Sequence, residues 1–318
     1  MRSALSTLEQ QLCNTLQKSL PTCRNPYAEI AETLNSDENA VLEGTRGLYE
    51  RGVIRRIGAI VNWQAAGKAT TLVTAHIADE KLKPAVEAVN RLEGCSHNYL
   101  REHDFNLWFT LREDSAEHIE GILRNLSRRF GVVFHSLPAV RTFKLDVRFD
   151  AESEGRHLLK PAAAVIQTER VEFDETDEKI LSQLHSGLEV VAQPYDRLCE
   201  EGPGIDDILA RIRAMLDKGV IHRLGAVVNH RELGFEANAM FVCVADQNRV
   251  VEVGKALADL RNVSHCYERR PFEGWPYNLF AMIHGPNMEE VDAVIKKFVQ
   301  EKDIKTFELL ATVKNLKK

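Results

Sequence analysis

The chain has 318 residues, of which 44% are hydrophobic and 28% charged, so at ~150 residues per domain it has room for about two ordinary globular domains and is neither disordered nor fibrous. Its 41 Lys and Arg against 47 Asp and Glu give a net charge of −6, which excludes the strong positive field of a generic phosphate-backbone binder. Six scattered cysteines without CxxC spacing, no apolar run near the ~20 residues of a bilayer span and no secretory apolar core in MRSALSTLEQQLC predict a cytoplasmic chain with reduced thiols, no disulfide scaffold, no metal site and no membrane contact.

Along the chain, Leu8 to Leu16, Pro26 to Leu34 and Glu38 to Arg51 read as three short helices in a helix-turn-helix outline, the second opened by a proline suited to a first helical turn. Val53 to Asn62 and Thr70 to Ile77 are β-branched strands. A helix follows with Leu82, Val86 and Val89 on one face, and strand signals resume at Asn98. Leu107 to Leu111 pairs back as a hairpin, Ile119, Ile122, Leu123 and Leu126 stripe another helix, and Val132 to Lys144 supplies a final strand. The order β-α-β-β-α-β predicts a ferredoxin-like sandwich.

The pattern then recurs. RGVIRRIGAIVNW, Arg51 to Trp63, matches KGVIHRLGAVVNH, Lys218 to His230, at an offset of 167 residues. Ser96, His97, Tyr99 and Arg101 match Ser264, His265, Tyr267 and Arg269 at 168, and Asn106 and Leu107 match Asn278 and Leu279 at 172. The second copy therefore carries a four-residue insertion, in the loop RRPFEGWPYN. The expected architecture is an α+β tandem repeat of a winged helix-turn-helix plus a ferredoxin-like (βαββαβ) domain. Its boundaries fall at residues 1–52 and 53–149 for copy one, 150–175 for a charged linker, and 176–219 and 220–318 for copy two.

This order resembles the Lrp/AsnC class of transcription regulators. A helix that enters the major groove should present Arg, Lys, Asn or Gln, yet Glu38 to Arg51 sets Glu38, Glu43 and Glu50 against Arg46 and Arg51, with Gly44 and Gly47 weakening the helix. Gly204 to Lys218 balances Asp206, Asp207 and Asp217 against Arg211, Arg213 and Lys218. No nucleic-acid partner is expected. Cationic and aromatic residues gather instead at the strand starts, Arg55 and Arg56 with His222 and Arg223, and at the hairpins, His97, Tyr99, Arg101 and His103 with His265, Tyr267, Arg269 and Arg270. Arginine forks match carboxylates, and flat aromatics beside them suit a planar polycarboxylate.

HRLGAVVNHRELGFEANAM, VSHCYERRPFEGWPYNLFAMIHG and RRIGAIVN resemble the sirohaem decarboxylase family, Lrp/AsnC-like proteins comprising the Ahb pair and the Nir D, L, G and H proteins. The similarity runs through both halves, and the single-chain tandem is most like the fused NirDL type. The resemblance implies a carboxy-lyase that removes the C12 and C18 acetate carboxyl groups of sirohaem to give 12,18-didecarboxysirohaem, in haem d1 or alternative haem biosynthesis. It implies no cofactor beyond the iron of the substrate. The halves are expected to pair within the chain and to leave edges for a second copy.

Copy two keeps the longer aromatic loop and two further histidines, so the main reaction centre is placed there, with His265, Tyr267, Arg269 and His222 catalytic. Arg223, His230, Trp275 and Tyr277 bind substrate, as do Arg55, Arg56, His97, Tyr99 and Arg101 of copy one. On a strand, His265, Tyr267 and Arg269 share one face and Cys266 takes the other, which leaves Cys266 out of the site. His76 and His284 receive no role and read as packing histidines, and His135 has Glu308 as its counterpart, so the repeat supports no shared function for it. The alternative function is a ligand-responsive or haem-responsive transcription regulator that uses the same pocket without chemistry.

Overall fold

The computed structural model describes residues 5–145, 147–159, 171–199 and 202–317. Copy one runs α1 (Thr7–Lys18), α2 (Pro26–Leu34), α3 (Glu38–Glu50), β1 (Ile54–Val61), β2 (Ala69–Ala75), α4 (Asp79–Asn90), β3 (Cys95–Arg101), β4 (Leu107–Glu113), α5 (Ala116–Phe130), β5 (His135–Leu137) and β6 (Ala139–Leu145). Copy two runs α6 (Glu175–Ser186), a 3-10 turn at Asp196–Cys199, α7 (Ile205–Asp217), β7 (Ile221–Val228), a second 3-10 turn at His230–Leu233, β8 (Ala237–Cys243), α8 (Val250–Asp259), β9 (Val263–Arg269), β10 (Leu279–Gly285), α9 (Met288–Glu301) and β11 (Phe307–Asn315). Equivalent caps open equivalent helices. Ser6 and Asp174 each form a capping box on α1 and α6, and Ser115 and Asn287 cap α5 and α9.

The described residues of Met1–Gly67 and Arg148–Glu236 form one compact unit, and those of Lys68–Val147 and Ala237–Lys318 the other. This corrects the expected boundaries at 53 and 220, because among the described residues β1 and β7 pair only with each other, as an antiparallel ribbon beside the helices. Gly58 faces Gly225 in that ribbon. Helices α1 and α6 cross it so closely that a Cβ on Gly58 would lie 2.2 Å from the Leu184 carbonyl oxygen, and one on Gly225 would lie 2.3 Å from that of Leu16. Only glycine admits this approach. The helix ends are then sewn to the ribbon by Leu20 N–H on the Leu224 carbonyl at 2.8 Å and by Leu188 N–H on that of Ile57 at 2.7 Å.

The expected linker of residues 150–175 is partly structural. Gln17 holds Phe149 through paired amide bonds of 2.8 Å, Phe149 bridges to Leu158, and Glu175 opens α6. Residues 160–170 of the linker lie outside the described residues. The second helix of copy two is reduced to the 3-10 turn after Pro194 and Tyr195, among the described residues.

The other unit holds a nine-stranded sheet in the order β5-β2-β4-β3-β11-β8-β10-β9-β6. Each copy contributes its four ferredoxin-like strands, the last beside the first and the third beside the second. The last strands are shared across the copies. Phe307–Ala311 of β11 pairs with β8 of its own copy, and Thr312–Asn315 continues onto β3 of copy one. In the same way β5 pairs with β2, and β6, one residue further on past Pro138, pairs with β9 of copy two. One sheet face carries α4 and α5, with Leu123 of α5 packed among Val73 and Phe109, and α8 and α9, with Val253 and Ile295 of those helices packed among strand residues such as Phe241. The opposite face is a common layer containing Trp108 and Leu137 of copy one and Met240, Trp275, Phe280 and Leu310 of copy two.

Gly225→Ala is expected to lower the unfolding free energy by about 1–3 kcal/mol, the usual cost of overpacking, because the carbonyl it strikes belongs to helix backbone. Denaturant unfolding followed by circular dichroism checks this, with Gly47→Ala as the comparison of opposite sign: a Cβ there meets nothing within 4 Å, and helix propensity should raise stability by about 0.5–1 kcal/mol.

Candidate active site

Strand alternation turns His97, Tyr99 and Arg101 of β3, and His265, Tyr267 and Arg269 of β9, away from the helices. The two triplets have the same internal geometry. His97 and Tyr99 rings lie 6.1 Å apart and inclined at 19°, and those of His265 and Tyr267 lie 6.2 Å apart at 28°. Each guanidinium sits near the neighbouring tyrosine ring, 5.5 Å from the Tyr99 centroid for Arg101 and 4.7 Å from the Tyr267 centroid for Arg269.

Both arginines are buried, at 4% and 8% exposure. Arg101 donates from Nη1 to the Leu310 carbonyl at 2.8 Å, and Arg269 donates to the equivalent carbonyl of Leu137. Each therefore grips the last strand of the other copy. Among the described residues neither makes an ion pair, and the Nε–H of each is buried without a hydrogen-bond partner. Burial pulls both guanidinium groups down to about 10. Two buried cations, each with an idle donor and no carboxylate, call for an anionic ligand.

The tyrosine and histidine between them keep their protons in neutral form. Burial, with His97, Arg269 and Lys144 nearby, pushes His265 down to about 3. Burial raises Tyr267 to about 12, against the pull of Arg269. On the flank of His265, Ser264 Oγ lies 2.8 Å from its Nδ1 and 2.8 Å from Nε2 of His284. Cys266 faces the helix-side core, as alternation requires, where burial raises its thiol.

Trp275 and Tyr277 belong to the packing of this layer. Trp275 is 1% exposed, with ring centroids 4.8 Å from Tyr277, 5.2 Å from Trp108 and 5.4 Å from His103. Tyr277 donates to Glu308 Oε1 at 2.6 Å, and the second oxygen of Glu308 lies 2.9 Å from His103 Nε2. The inserted loop thus plugs the aromatic layer, and the flat wall expected of Trp275 is spent on protein.

Arg55, Arg56, His222, Arg223 and His230 lie in the helical unit, on and after the β1–β7 ribbon. Arg56 donates to the carbonyls of His185 and Ala59, and Arg223 to that of Ala226 at 3.0 Å, so these repeat mates brace the ribbon from inside. Arg55 reaches Asn229 Oδ1 at 3.3 Å, and His222, its repeat mate, is half-buried on β7. His230 stacks on Phe149 at 5.5 Å, where burial, Arg55 and Arg231 push it down to about 4.

Comparison with known proteins places this geometry. Residues 9–55 match the "siroheme decarboxylase NirDL-like HTH domain", and residues 65–144 and 232–317 match the AsnC-like ligand binding domain. A siroheme decarboxylase of Hydrogenobacter thermophilus is 31% identical over 316 residues, covering 97% of this chain and 92% of that one. The chain belongs to the sirohaem decarboxylase family.

Two solved structures of the family's NirDL type superpose on it. One has a TM-score of 0.74 at 28% identity, covering 98% of this chain and 92% of the other. The second, in complex with an iron-uroporphyrin III analogue, has a TM-score of 0.71 at 27% identity, covering 97% and 92%. The ligand-binding matches begin at residues 65 and 232, near the structural division at Gly67 and Glu236 and away from the boundaries expected from sequence. Within this sirohaem decarboxylase fold, sequence reasoning missed Ser264 as a partner of His265 and set His284 aside as packing. The Ser96–Ser264 match was the available signal.

His230 and His265 bind a proton more readily in the unfolded chain than in the native one. Stability they contribute above their ordinary value near 6.5 is therefore lost as pH falls from there toward 4 for His230 and 3 for His265. Chemical denaturation at pH 7 and pH 5 should show a loss of roughly 2 kcal/mol from each. His230→Gln should flatten the slope by that share.

Proposed function

We propose that the chain is a sirohaem decarboxylase that converts the C12 and C18 acetates of sirohaem to methyl groups, giving 12,18-didecarboxysirohaem for haem d1 or alternative haem synthesis. The observation that carries this reading is the pair of buried arginines without carboxylate partners, set beside two neutral proton-bearing side chains. It agrees with the NirDL relative found with an iron-uroporphyrin analogue. In each cycle the bond between the acetate methylene and its carboxyl carbon breaks heterolytically. Carbon dioxide leaves, the electron pair enters the conjugated ring, and a proton delivered to the methylene carbon completes the methyl group.

The macrocycle is its own electron sink, so the reaction needs no organic cofactor. The residues of the chain place the substrate and supply the proton. Arg101 and Arg269 hold non-reacting carboxylates through their idle edges. Tyr267 is the more acidic of the two neutral donors, and Arg269 beside its ring stabilises the phenolate left until water reprotonates it. Copy two is the reaction centre. His222, Arg223, His230, Arg55 and Arg56 act on their own unit, as supports of the ribbon.

The regulator reading has less behind it. Arg211, the central cation of α7, is tied to Asp174, Asp177 and Asp207 at 2.8–3.0 Å, Arg213 to the Thr22 carbonyl, and Arg51 to Glu9. These side chains are spent on the protein surface, where a phosphate-gripping face would leave them available. We place the enzyme in the cytoplasm, as its six free thiols suggest, and no helix among the described residues is long and apolar enough to cross a membrane. Because the last strand of each copy is shared with the other, a second copy of the chain would dock elsewhere than on β3 or β9.

Anaerobic incubation with sirohaem, followed by mass detection of two successive carbon dioxide losses, tests the assignment. Tyr267→Phe should lower kcat about 10²-fold with little change in KM, the usual share of a positioned general acid. Unchanged turnover in that variant removes Tyr267 as the donor. A gel shift at defined salt, with activity absent, would favour the regulator.

A further inference from the structure

A line of hydrogen bonds crosses the inner layer from copy one to copy two. Arg101 Nη1 lies 3.1 Å from Thr312 Oγ1, Thr312 Oγ1 lies 3.3 Å from Asn238 Oδ1, and Asn238 Nδ2 lies 3.5 Å from His284 Nδ1. His284 Nε2 is 2.8 Å from Ser264 Oγ, and Ser264 Oγ is 2.8 Å from His265 Nδ1. The line has one direction. A guanidinium only donates, so Thr312 accepts from Arg101 and spends its own proton on Asn238 Oδ1, which turns the amide N–H toward His284. Nδ1 of His284 is then the acceptor, and its proton sits on Nε2, facing Ser264. Ser264 accepts that proton's bond and has one proton left to give. The Met282 carbonyl is 3.5 Å away and His265 Nδ1 is 2.8 Å, so the closer nitrogen receives it. His265 must carry its own proton on Nε2.

We infer that Thr312, Asn238, His284 and Ser264 are positioning residues that hold His265 as the Nε2–H tautomer, making the ring edge turned away from Ser264 a hydrogen-bond donor toward bound substrate, in copy two alone. This rests on the decarboxylase reading for its consequence and on the hydrogen bonds for its geometry. Copy one cannot build the same line. Register places Thr70 opposite Arg112 where copy two has Asn238 opposite His284, and a donor-only arginine cannot accept from one neighbour while it donates to the next. Ala139 stands where copy two has Thr312, each two residues beyond the arginine-bound Leu137 or Leu310, and Ser96 bonds Thr110 Oγ1 at 2.7 Å. The duplicated triplets therefore differ in their support more than in their own residues. A fixed tautomer matters here because a neutral histidine has a single N–H, and only its location decides whether the ring gives or accepts a bond.

The full-length protein, labelled with ¹⁵N-histidine, tests the geometry without substrate. Long-range ¹H–¹⁵N correlation, assigned by the difference from His265→Gln, should show a bare Nδ1 and a protonated Nε2 for His265. Ser264→Ala should give a mixture of tautomers. A protonated Nδ1 in the parent protein overturns the inference. In turnover, Thr312→Val should lower kcat about tenfold at unchanged KM, Thr312→Ser should restore it, and Thr70→Val should stay within twofold of the parent. If the parent decarboxylates sirohaem and Thr312→Val is unaffected, the positioning role fails. If the parent does not decarboxylate sirohaem while the tautomer is as described, the function assignment fails and the hydrogen-bond line stands.

Discussion

The grip of Arg101 on Leu310 and of Arg269 on Leu137 is the interaction on which the rest of the sheet unit depends. Each arginine ends the second strand of one copy and bonds the backbone of the other copy's last strand at the point where that strand changes partners. A carbonyl at such a crossover lies between two ladders, and left unbonded in the interior it would cost about 1–3 kcal/mol. An arginine is long enough to reach it and has further donors to spare. The same side chain thereby closes the duplicated fold and leaves positive charge in a desolvated layer, so the structural clamp and the proposed anion-binding element are one group.

Duplication explains the pairing, and divergence explains the chemistry. Gly58 and Gly225 face each other because the ribbon's antiparallel register is centred on the repeat axis, and that symmetry demands the same close helix approach twice. Away from the axis the copies have drifted. His135 stacks on Phe272 at 3.9 Å, whereas its mate Glu308 bonds Tyr277 and His103. The inserted loop adds Trp275 to the inner layer, against Trp108, Phe105 and His103 of copy one, and copy one's Ser96 and His97 are exposed where Ser264 is buried.

Much of this was readable in the residues. The helix-turn-helix outline, the βαββαβ order and the facing of His265, Tyr267 and Arg269 follow from local periodicity and from an offset visible by eye. What was not readable is non-local. Periodicity assigns Val53 to Asn62 to a strand but cannot say which strand it pairs with, so β1 was counted in the wrong unit. Aromatics in a proline-braced loop suggest a ligand wall, and only the packing against Trp108, Phe105 and His103 shows a plug. Arg56 and Arg223 share the chemistry of anion binders, yet their guanidinium groups are taken by carbonyls within reach of their own strands. His284 looks like a core histidine and is one, but its bond to Ser264 gives the core a direction.

The distribution of charge bears on how such a site would accelerate loss of carbon dioxide. A cation placed on the reacting acetate would stabilise the carboxylate that must disappear and so bind the ground state more than the transition state. Cations on the other carboxylates bind both states alike and only position the ring. Arg101 and Arg269 are anchored at fixed backbone carbonyls, so their reach is limited and their positions would not follow the substrate. His265 and Tyr267, whose neutral forms burial favours, share the strand face of Arg269. In the proposed reaction, charge that leaves the carboxylate would spread into the macrocycle without first breaking an ion pair at the reacting carbon.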